Sequence, residues 1–585
     1  MQKIKLGIVM TVAIAVCAAI CACGSTEKTP LPAPQNVHAE QRELVWDEVK
    51  NAAGYVVRYQ NTEHETSENR YDLSELTEPN TYEIKVLAIG DNKNNVDSEW
   101  TTYNYTVIKP VEHGYDESGL EYTLLADGTG YEVSRGNHKL VGVVEIPDYY
   151  YTLPVKRIAS DAFFYKSSTS FPNPYTGQLC NIITTDIQLP SRLESIGEYA
   201  LSFMVKLTEV VIPDTVTEIE KNAFYGCKNL KRVTLPKGLK YIPELCFGEC
   251  ALDGITFPET LERIGFSAFG CSRPYESNYD RIIPAATKLI IPDSVKSIDG
   301  AAFYGWLNLK DITLPNDLER LEWRVFYDTA WYDSQPNGYV MFGDMLYKYK
   351  DDSEENAVVE IPSSVKRIAG GAFERNNTLT EVYIPDGVKL IGGNIFDSCQ
   401  SLSKVRLPAD LTAIPDGTFS GCKNLIGISL PDEVTEIGEK AFIACTLLET
   451  VKLSARLKTI SRGAFTNCYA LNDVVLPNGV KEIGENAFWS CKSLTEITIP
   501  HSVEVLGKRP FFSCAALRYI YYDGSEAQWM KLKAQNNDKY IDDSGNLRPV
   551  TSPFTDAIIC YYSETAPEAA GNYWHYVDNE PTLWS

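Results

Sequence analysis

The chain has 585 residues, of which 44% are apolar, and its formal net charge is -24 at pH 7. A chain of this length and apolar content can form several folded domains. Because the charge is strongly negative and no basic stripe runs along the sequence, we expect no nucleic-acid partner.

Residues 1–22 are predicted to be an export signal. Lys3 and Lys5 precede an apolar run over residues 6–20. This run is shorter than the ~20 residues that a bilayer-spanning helix needs, and small residues follow it. The pattern is typical of a cleaved secretory signal.

The end of this signal carries a lipidation motif. The sequence Ile20-Cys21-Ala22-Cys23 resembles the lipobox of bacterial lipoproteins. The resemblance implies that Cys23 is the lipid-modified first residue of the mature chain and that residues 23–30 form a lipid-anchored tether. The protein would then be held at the bacterial cell surface, with this lipid as its only contact with the membrane. The alternative is an ordinary signal peptide in which Cys23 is incidental.

Residues 31–109 are predicted to form a small β-sandwich. Strand-like runs such as residues 54–59 and 82–88 alternate with turn residues. Trp46, the Gly-Tyr run and Tyr82 together resemble a fibronectin type III domain, in which Tyr82 would be the tyrosine corner. We expect Trp46 and Tyr82 to lie in the core and the module to act as a spacer.

Residues 110–147 are predicted to be a linker followed by a hairpin that caps the next domain. Asp127-Gly128 stands between two strand-like segments, which indicates a hairpin. The alternative is a phosphate-binding or calcium-binding loop, but the other ligands of such a loop are absent.

Residues 148–524 repeat with a period of 23 residues, which predicts a solenoid whose coils bury their apolar side against each other. Prolines mark the period, with Ser454 in place of one of them: Pro362, Pro385, Pro408, Pro431, Pro477 and Pro500. Phenylalanines keep the same step: Phe373, Phe396, Phe419, Phe442, Phe465 and Phe488. So do cysteines: Cys399, Cys422, Cys445, Cys468, Cys491 and Cys514. We expect a structural ladder in which each of these residue types forms a column.

A single repeat carries the leucine-rich signature. Between Pro213 and Pro236, the sequence Leu230-x-x-Val233-x-Leu235 ends in a short strand with alternating faces. The longer pattern Pro-[Asp/Asn]-x-Val-x-x-Ile-Gly-x-x-Ala-Phe-x-x-Cys-x-x-Leu-x-x-Val resembles the BspA-like leucine-rich repeat family of microbial surface proteins. The resemblance implies a mainly β or α+β solenoid, here preceded by the β-sandwich. It also implies binding of host matrix proteins such as fibronectin and fibrinogen.

Three interruptions lengthen the repeat, within residues 147–190, 258–292 and 315–362. The surplus falls mainly after the marker phenylalanine, so the insertions are expected along one edge of the solenoid. We predict a binding edge there, because binding hot spots favour aromatic residues and arginine. The candidate residues are Arg273, Tyr275, Tyr279, Arg281, Trp331, Tyr332 and Tyr339. The alternatives are that the rings pack back on the coils, or that the outer face of the sheet binds.

The column of cysteines is predicted to be reduced and buried. Equivalent side chains of stacked coils point the same way, and free cysteine packs well as a small apolar residue. No metal site is expected, because the column has neither Cys-x-x-Cys pairs nor neighbouring histidines.

Residues 525–585 are predicted to cap the far end of the solenoid. The segment opens with a capping box at Ser525, which places Trp529 and Leu532 on one face of a short helix. Strand-like runs come after this helix. The last coil of a solenoid needs such a cover.

No motif predicts an active site or a cofactor. The histidines are scattered, and the sequence has no His-Glu-x-x-His, Gly-x-Ser-x-Gly or glycine-rich phosphate loop. We therefore predict a non-enzymatic surface lipoprotein that recognises a macromolecule, such as a host matrix protein, in adhesion. The alternatives are a glycan-binding accessory lipoprotein and an envelope scaffold without a soluble ligand.

Overall fold

The computed structural model describes residues 28–40, 42–107, 109–136, 140, 142–164, 184–271, 282–351, 356–472, 474–534, 539–541, 547–549, 557–567, 571–577 and 580–584. The predicted signal peptide and Cys23 lie outside them. The described residues form two compact units, one made of residues 28–112 and 149–154 and the other of the remainder.

The first unit contains two antiparallel sheets around an aromatic and aliphatic core. One sheet has the strands His38–Glu40, Glu43–Val45 and Arg70–Asp72. The other has, in spatial order, Thr62–Thr66, Gly54–Tyr59, Asn80–Ile89 and Thr101–Val107, and a short parallel pair joins Thr29–Pro30 to Asn95–Val96. Trp46 and Tyr55 are buried and meet edge-on with ring centroids 5.2 Å apart. Tyr82 is buried as well, and its hydroxyl donates to the carbonyl of Glu78 at 2.9 Å.

The second unit begins with an antiparallel meander of three strands. These are His113–Tyr115, Glu121–Leu124 and Tyr131–Ser134. At the turn between the last two, the Asp127 carboxylate accepts the Thr129 N–H at 2.9 Å, which fixes the hairpin. The strand Tyr131–Ser134 then pairs in parallel with the first solenoid strand.

The rest of this unit is a β-solenoid of about 15 turns, which confirms the predicted fold class. Most coils give one short strand to each of two parallel ladders. The front ladder consists of Gly142–Glu145, Thr184–Gln188, Glu209–Val211, Arg232–Thr234, Lys288–Ile290, Asp311–Thr313, Ala357–Glu360, Leu379–Tyr383, Lys404–Arg406, Gly427–Ser429, Thr450–Lys452, Glu496–Pro500 and Tyr519–Asp523. The back ladder consists of Leu153–Ile158, Ser195–Ile196, Glu218–Ile219, Tyr241–Ile242, Arg263–Ile264, Ser297–Ile298, Arg320–Leu321, Met345–Lys350, Arg367–Ile368, Leu390–Ile391, Ala413–Ile414, Glu436–Ile437, Thr459–Ile460, Glu482–Ile483 and Val505–Leu506.

The marker phenylalanines stack in one column through the core. From Phe373 to Phe511, successive ring centroids are 5.1–5.5 Å apart and the ring planes are within 27° of parallel. All of these rings are buried. The separation is close to the ~4.8 Å between hydrogen-bonded strands, so one residue per coil at a fixed position is enough to make a continuous stack.

The marker cysteines form a second buried column. Each thiol donates to the carbonyl oxygen of the phenylalanine in the preceding coil, as Cys445 does to Phe419 at 3.0 Å. The six distances from Cys399 to Cys514 are 3.0–3.3 Å. These carbonyl oxygens also accept a backbone N–H from their own coil, as Phe419 does from Cys422 at 3.1 Å, so each thiol adds a hydrogen bond between coils.

Proline stands at or just after the end of most front-ladder strands and starts the following turn. The Pro431 carbonyl accepts the Val434 N–H at 3.1 Å, and Val434 is buried. Where serine replaces proline, the same turn forms from Ser454 to Leu457 at 3.1 Å, and the Ser454 hydroxyl donates to the Asp432 carbonyl at 2.7 Å. The serine thus keeps the turn by hydrogen bonding instead of by a fixed φ angle.

Residues 328–350 replace a regular coil with a helix and a hairpin. The helix is Ala330–Ser334, and the hairpin pairs Gly338–Phe342 with Met345–Lys350. The second hairpin strand rejoins the back ladder beside Arg367–Ile368. We call residues 328–350 the irregular coil.

The helix Glu526–Ala534 and a set of short strands lie beyond the last coil. The Ser525 N–H and the Gln528 side-chain oxygen are 2.8 Å apart, as in a capping box, and Trp529 and Leu532 are buried in the solenoid core. The remaining strands are Lys539–Ile541, Leu547–Pro549, Ile558–Tyr562, Tyr573–Val577 and Glu580–Leu583. Neither helix of the described chain reaches the length and apolarity needed to cross a membrane.

Replacing Phe442 by alanine should destabilise the solenoid by about 3–5 kcal/mol, because it leaves a cavity in the stack. The Phe442 ring lies 5.1 Å from the rings of both Phe419 and Phe465. Urea unfolding followed by circular dichroism measures the change. The control is Leu447→Ala, since Leu447 is 50% exposed and should change stability by less than about 0.5 kcal/mol. Equal effects of the two substitutions would contradict the core stack.

Replacing Gly484 by alanine should cost about 1–3 kcal/mol, because the new methyl group overpacks the contact with the preceding coil. A Cβ atom at position 484 would lie 2.6 Å from the backbone nitrogen of Arg462. At Gly238 the same atom would meet nothing within 4 Å, so Gly238→Ala is the matched control. We expect the urea midpoint to fall only for the first variant, and a fall of equal size in both would show that coil contact is not the cause.

Candidate functional site

Three residues of the predicted binding edge lie in the described part of the chain: Trp331, Tyr332 and Tyr339. The other four lie outside it: Arg273, Tyr275, Tyr279 and Arg281.

Trp331 packs into the irregular coil. Its ring stacks on Phe342 with centroids 4.5 Å apart and meets Phe326 edge-on at 6.0 Å. The Thr329 hydroxyl accepts the Tyr332 N–H at 3.0 Å and so caps the short helix that carries the tryptophan. Trp331 is half-buried, and these contacts indicate a role in holding the irregular coil against its neighbour.

Tyr339 lies apart from the other two residues. Its hydroxyl donates to the carbonyl of Glu360 at 2.8 Å, and its ring is 5.3 Å from that of Tyr349. In the described part of the chain it makes no ring contact with Trp331 or Tyr332. Of the three described residues of the predicted edge, Tyr339 therefore lies apart from Trp331 and Tyr332, which both contact the ring of Tyr347.

Tyr332 joins a different group of aromatic residues on the edge of the solenoid. Its ring is 5.2 Å from that of Tyr327, and the Lys350 ammonium lies 4.9 Å from the Tyr332 ring centre. Burial raises the pKa of Tyr332 to about 12, so the phenol stays neutral at physiological pH.

Next to Tyr332, aromatic rings and an arginine form a surface that we call the edge patch, consisting of Phe266, Trp323, Arg324 and Tyr327. The rings of Phe266 and Trp323 are 6.2 Å apart. The Arg324 guanidinium carbon lies 5.0 Å from the Trp323 ring and 5.8 Å from the Tyr327 ring. Phe266 and Tyr327 are 37% and 38% exposed, so the patch presents ring surface to solvent.

A glycine allows the two largest rings of the edge patch to meet. Phe266 and Trp323 occupy the same position, three residues before the marker phenylalanine, on coils separated by one other coil. That middle coil has Gly300 at this position, where a Cβ atom would lie 2.9 Å from the Trp323 indole nitrogen. The absence of a side chain therefore lets Trp323 lie across the middle coil toward Phe266.

Arg324 is held in place by a carboxylate from the far side of the irregular coil. Its Nε atom lies 3.1 Å from Oε2 of Glu374, its terminal nitrogen bonds Oε1, and the Glu374 side chain is only 8% exposed. Lys348 is half-buried beside this pair and donates to the carbonyl oxygens of Gly371 and Glu374 at 2.8 and 3.3 Å. A bidentate pair of this kind fixes the plane of the guanidinium.

The sequence prediction missed the edge patch. Its residues belong to regular coils, whereas the prediction considered only the insertions. Phe266 and Trp323 stand three residues before the marker phenylalanine of their coils, Arg324 stands two residues before it, and Tyr327 stands one residue after it. The edge patch could have been found from the sequence, because large aromatic residues recur at these outward positions in nearby coils. The same positions carry a smaller pair nearer the C-terminal end, where Trp489 and Phe512 are 5.6 Å apart.

The outer face of the front ladder is the other candidate binding surface, and it differs from the edge patch in its charge and its side-chain composition. Ion pairs between neighbouring coils neutralise much of its charge, as in Arg232 with Glu209 at 2.7 Å. A shallow cavity of about 590 Å³ crosses it where Gly427, Ser429 and Thr450 provide little side-chain bulk. The described residues that line this cavity include no aromatic side chain.

The side chains that could act as nucleophiles or metal ligands are placed for packing. The cysteines of the column from Cys399 to Cys514 are free and buried, and burial raises the pKa of Cys399 to about 12, so its reactive thiolate form is suppressed. No group of three or more histidine, cysteine or carboxylate side chains in the described chain is arranged to hold a metal ion.

Comparison with known families gives a match over more than half of the chain. The model of the BspA type leucine rich repeat region matches residues 156–275, 283–334, 347–469 and 412–531. No curated protein matches the chain.

Several solved structures are similar to this chain. A leucine-rich repeat protein from Bacteroides ovatus is 21% identical, with 76% of this chain and 99% of that chain covered and a TM-score of 0.29. A leucine rich cell surface protein from Faecalibacterium prausnitzii is 22% identical, with 72% and 98% covered and a TM-score of 0.27. The pneumococcal vaccine antigen PcpA is 20% identical, with 72% and 96% covered and a TM-score of 0.31.

Burial lowers the pKa of Lys348 to about 8, from 10.5 in an unfolded chain. Between these pH values the unfolded state binds more protons, so the contribution of Lys348 to stability rises with pH. This contribution to stability is fully present above pH 10.5 and is lost as the pH falls toward 8. We expect the stability of the wild type relative to Lys348→Met to increase by up to roughly 3 kcal/mol across this range, measured by urea unfolding. The control is Lys458→Met, which removes an exposed lysine. The stability of the wild type relative to this control should stay the same across the pH range. If the stability difference depended on pH in the same way for both variants, the lowered pKa of Lys348 would be contradicted.

Proposed function

This chain belongs to the BspA-type leucine-rich repeat family, and on that premise we propose that it is an adhesion protein of the bacterial cell surface that binds another protein through the edge of its solenoid. The observation that carries the proposal is the edge patch, in which Phe266, Trp323, Arg324 and Tyr327 expose rings and a guanidinium on stacked, rigid coils. Such rings supply contact area at little cost in conformational entropy, and tryptophan, tyrosine and arginine dominate binding hot spots.

The proposal is binding and not catalysis. The fold is a packed solenoid in which the thiols of the marker column donate to backbone carbonyls and the rings of the edge patch are partly exposed. A leucine-rich repeat solenoid typically serves as a binding scaffold, and its function resides in the residues displayed on its surface.

The N-terminal region supports a position at the cell surface. We propose that residues 1–22 are removed, that Cys23 is lipidated, and that residues 23–30 tether the protein to the membrane. Residues 31–109 would act as a spacer of the fibronectin type III type. The hydrogen bond from Tyr82 to the Glu78 carbonyl supports this, because a tyrosine corner makes such a bond to the backbone a few residues upstream.

A protein ligand fits the surface better than a glycan does. A glycan-binding site would need exposed aromatic rings, and near the C-terminus the sequence places Trp574 and Tyr576 two residues apart as a candidate platform. Trp574 is fully buried and donates to the Tyr522 carbonyl at 3.1 Å, so its indole offers no surface to a sugar ring. The edge patch combines its rings with an arginine already paired to Glu374, an arrangement suited to a protein surface.

The test uses the lipid-free chain, residues 24–585, against a panel of host matrix proteins that includes fibronectin and fibrinogen, beside a glycan array. We expect binding to at least one protein and none to the glycans. For that protein, Phe266→Ala combined with Trp323→Ala should lower the affinity about 30-fold or more, as loss of a hot spot does. Surface plasmon resonance measures the change.

The matched control is Tyr469→Ala, which removes a ring that is 37% exposed and lies 4.3 Å from the Lys492 ammonium but is outside the edge patch. Its affinity should equal that of the wild type. Binding to glycans alone, or equal losses in the patch and control variants, would overturn the proposal.

A further inference from the structure

The irregular coil leaves a recess beside the back ladder. Each regular coil enters this ladder through the four-residue turn that begins at its proline, as at Pro362–Val365. The irregular coil enters it through the tight hairpin connection of Gly343 and Asp344. The shorter connection fills less space, and a cavity of about 780 Å³ lies between the turns of the flanking coils.

The recess has walls of opposite charge. Asp317 and Glu319 line it on the coil before the interruption. Lys366 and Lys389 line it on the two coils after the interruption, and all four residues are exposed. Leu390 adds an apolar surface that is 42% exposed, and Gly387 contributes no side chain that would narrow the opening.

The four charged side chains of the two walls form no ion pairs with other described residues of the chain. In regular coils the same column pairs its charges between neighbours, as in Lys240 with Glu262 at 2.9 Å. In the described part of the chain, Asp317, Glu319 and Lys389 form no ion pair, and the Lys366 ammonium donates to the Ser363 carbonyl at 2.9 Å, not to a carboxylate.

The floor of the recess is fixed before any ligand arrives. Arg367 bonds the Asp344 carboxylate through Nε at 2.8 Å and donates to the Leu318 carbonyl at 2.7 Å. These bonds join the coil before the interruption, the hairpin and the coil after it. A site that is already ordered loses little conformational entropy when it binds.

We propose that this recess binds an extended peptide segment that carries an acidic and a basic side chain, and that it is the charge-reading part of the protein-binding surface proposed above, on which this inference rests. The acidic residue would lie against Lys366 and Lys389 and the basic residue against Asp317 and Glu319. A ligand of one sign would be repelled by one wall, and a neutral glycan would leave the charges of both walls unpaired. The volume lies within the roughly 300–1,000 Å³ typical of ligand sites.

The probes are three short, capped, fluorescein-labelled peptides, one with lysine at one end and glutamate at the other, one with lysine only and one with glutamate only. Fluorescence anisotropy at low salt measures their affinity for residues 24–585, because screening weakens such contacts. We expect the mixed peptide to bind about tenfold more tightly than either single-sign peptide. Reversing the basic wall with Lys366→Glu and Lys389→Glu should lower its affinity about tenfold.

Two further variants decide the assignment. Adding Asp317→Lys and Glu319→Lys to the reversed basic wall should restore binding of the mixed peptide, because the recess again has two opposite walls. Lys458→Glu changes the same position of a coil away from the recess and should have no effect. All these side chains are exposed, so thermal unfolding should be unchanged. Equal affinity for the three peptides, a failure of the fourfold variant to restore binding, or a loss in Lys458→Glu would overturn the proposal.

The peptide experiment tests the recess, and the protein panel tests the proposed function, so one hypothesis can be rejected while the other stands. If the chain binds a panel protein but the recess variants keep wild-type affinity for the mixed peptide and that protein, the recess assignment is wrong and the binding function stands. If no panel protein binds while the mixed peptide binds with the predicted variant pattern, the recess stands and the proposed ligand class of the whole surface is wrong.

Discussion

The structure depends on the direct contact of each coil with the next. One phenylalanine per coil achieves it, together with one cysteine per coil from Cys399 to Cys514. The rings stack, as Phe442 does on Phe465 at 5.1 Å, and each of these thiols donates to a carbonyl of the preceding coil. Neither contact exists within a single repeat, so no coil is stable without its neighbours. The same dependence explains why both ends of a solenoid need a cover, which Trp529 and Leu532 provide at the C-terminal end by entering the core.

Because the interior is so regular, departures from regularity determine the surface. Gly300, in place of a larger side chain, lets Trp323 lie across a coil toward Phe266. The irregular coil has a similar effect on a larger scale. It supplies Tyr332 and Lys348 beside the edge patch, and its tight hairpin turn opens the recess on the back ladder. A perfectly repeating chain would have neither feature.

The period of the sequence predicted the columns of the core, but it could not predict the features that arise from contacts between coils. The columns were predictable because a fixed spacing of 23 residues puts equivalent side chains above one another. The left-handed backbone at Lys440, with a φ of 54°, could not be predicted from the sequence, because lysine does not favour that conformation and the stacked coil imposes it. Of the candidate binding residues, Trp331 was selected by composition, but the structure packs its ring on Phe342, a contact made within the irregular coil that the repeat pattern does not describe.

The most direct test of this account is the alkylation of individual cysteines followed by mass spectrometry, without reductant. The account predicts that the column from Cys399 to Cys514 stays unlabelled while the protein is folded and becomes fully labelled in denaturant, because these thiols are free and buried. Rapid labelling of Cys445 in the folded protein would show that the coils are not stacked as described. Resistance to labelling after denaturation would show that the thiols are paired in disulfides and do not bond to the carbonyls of the preceding coil.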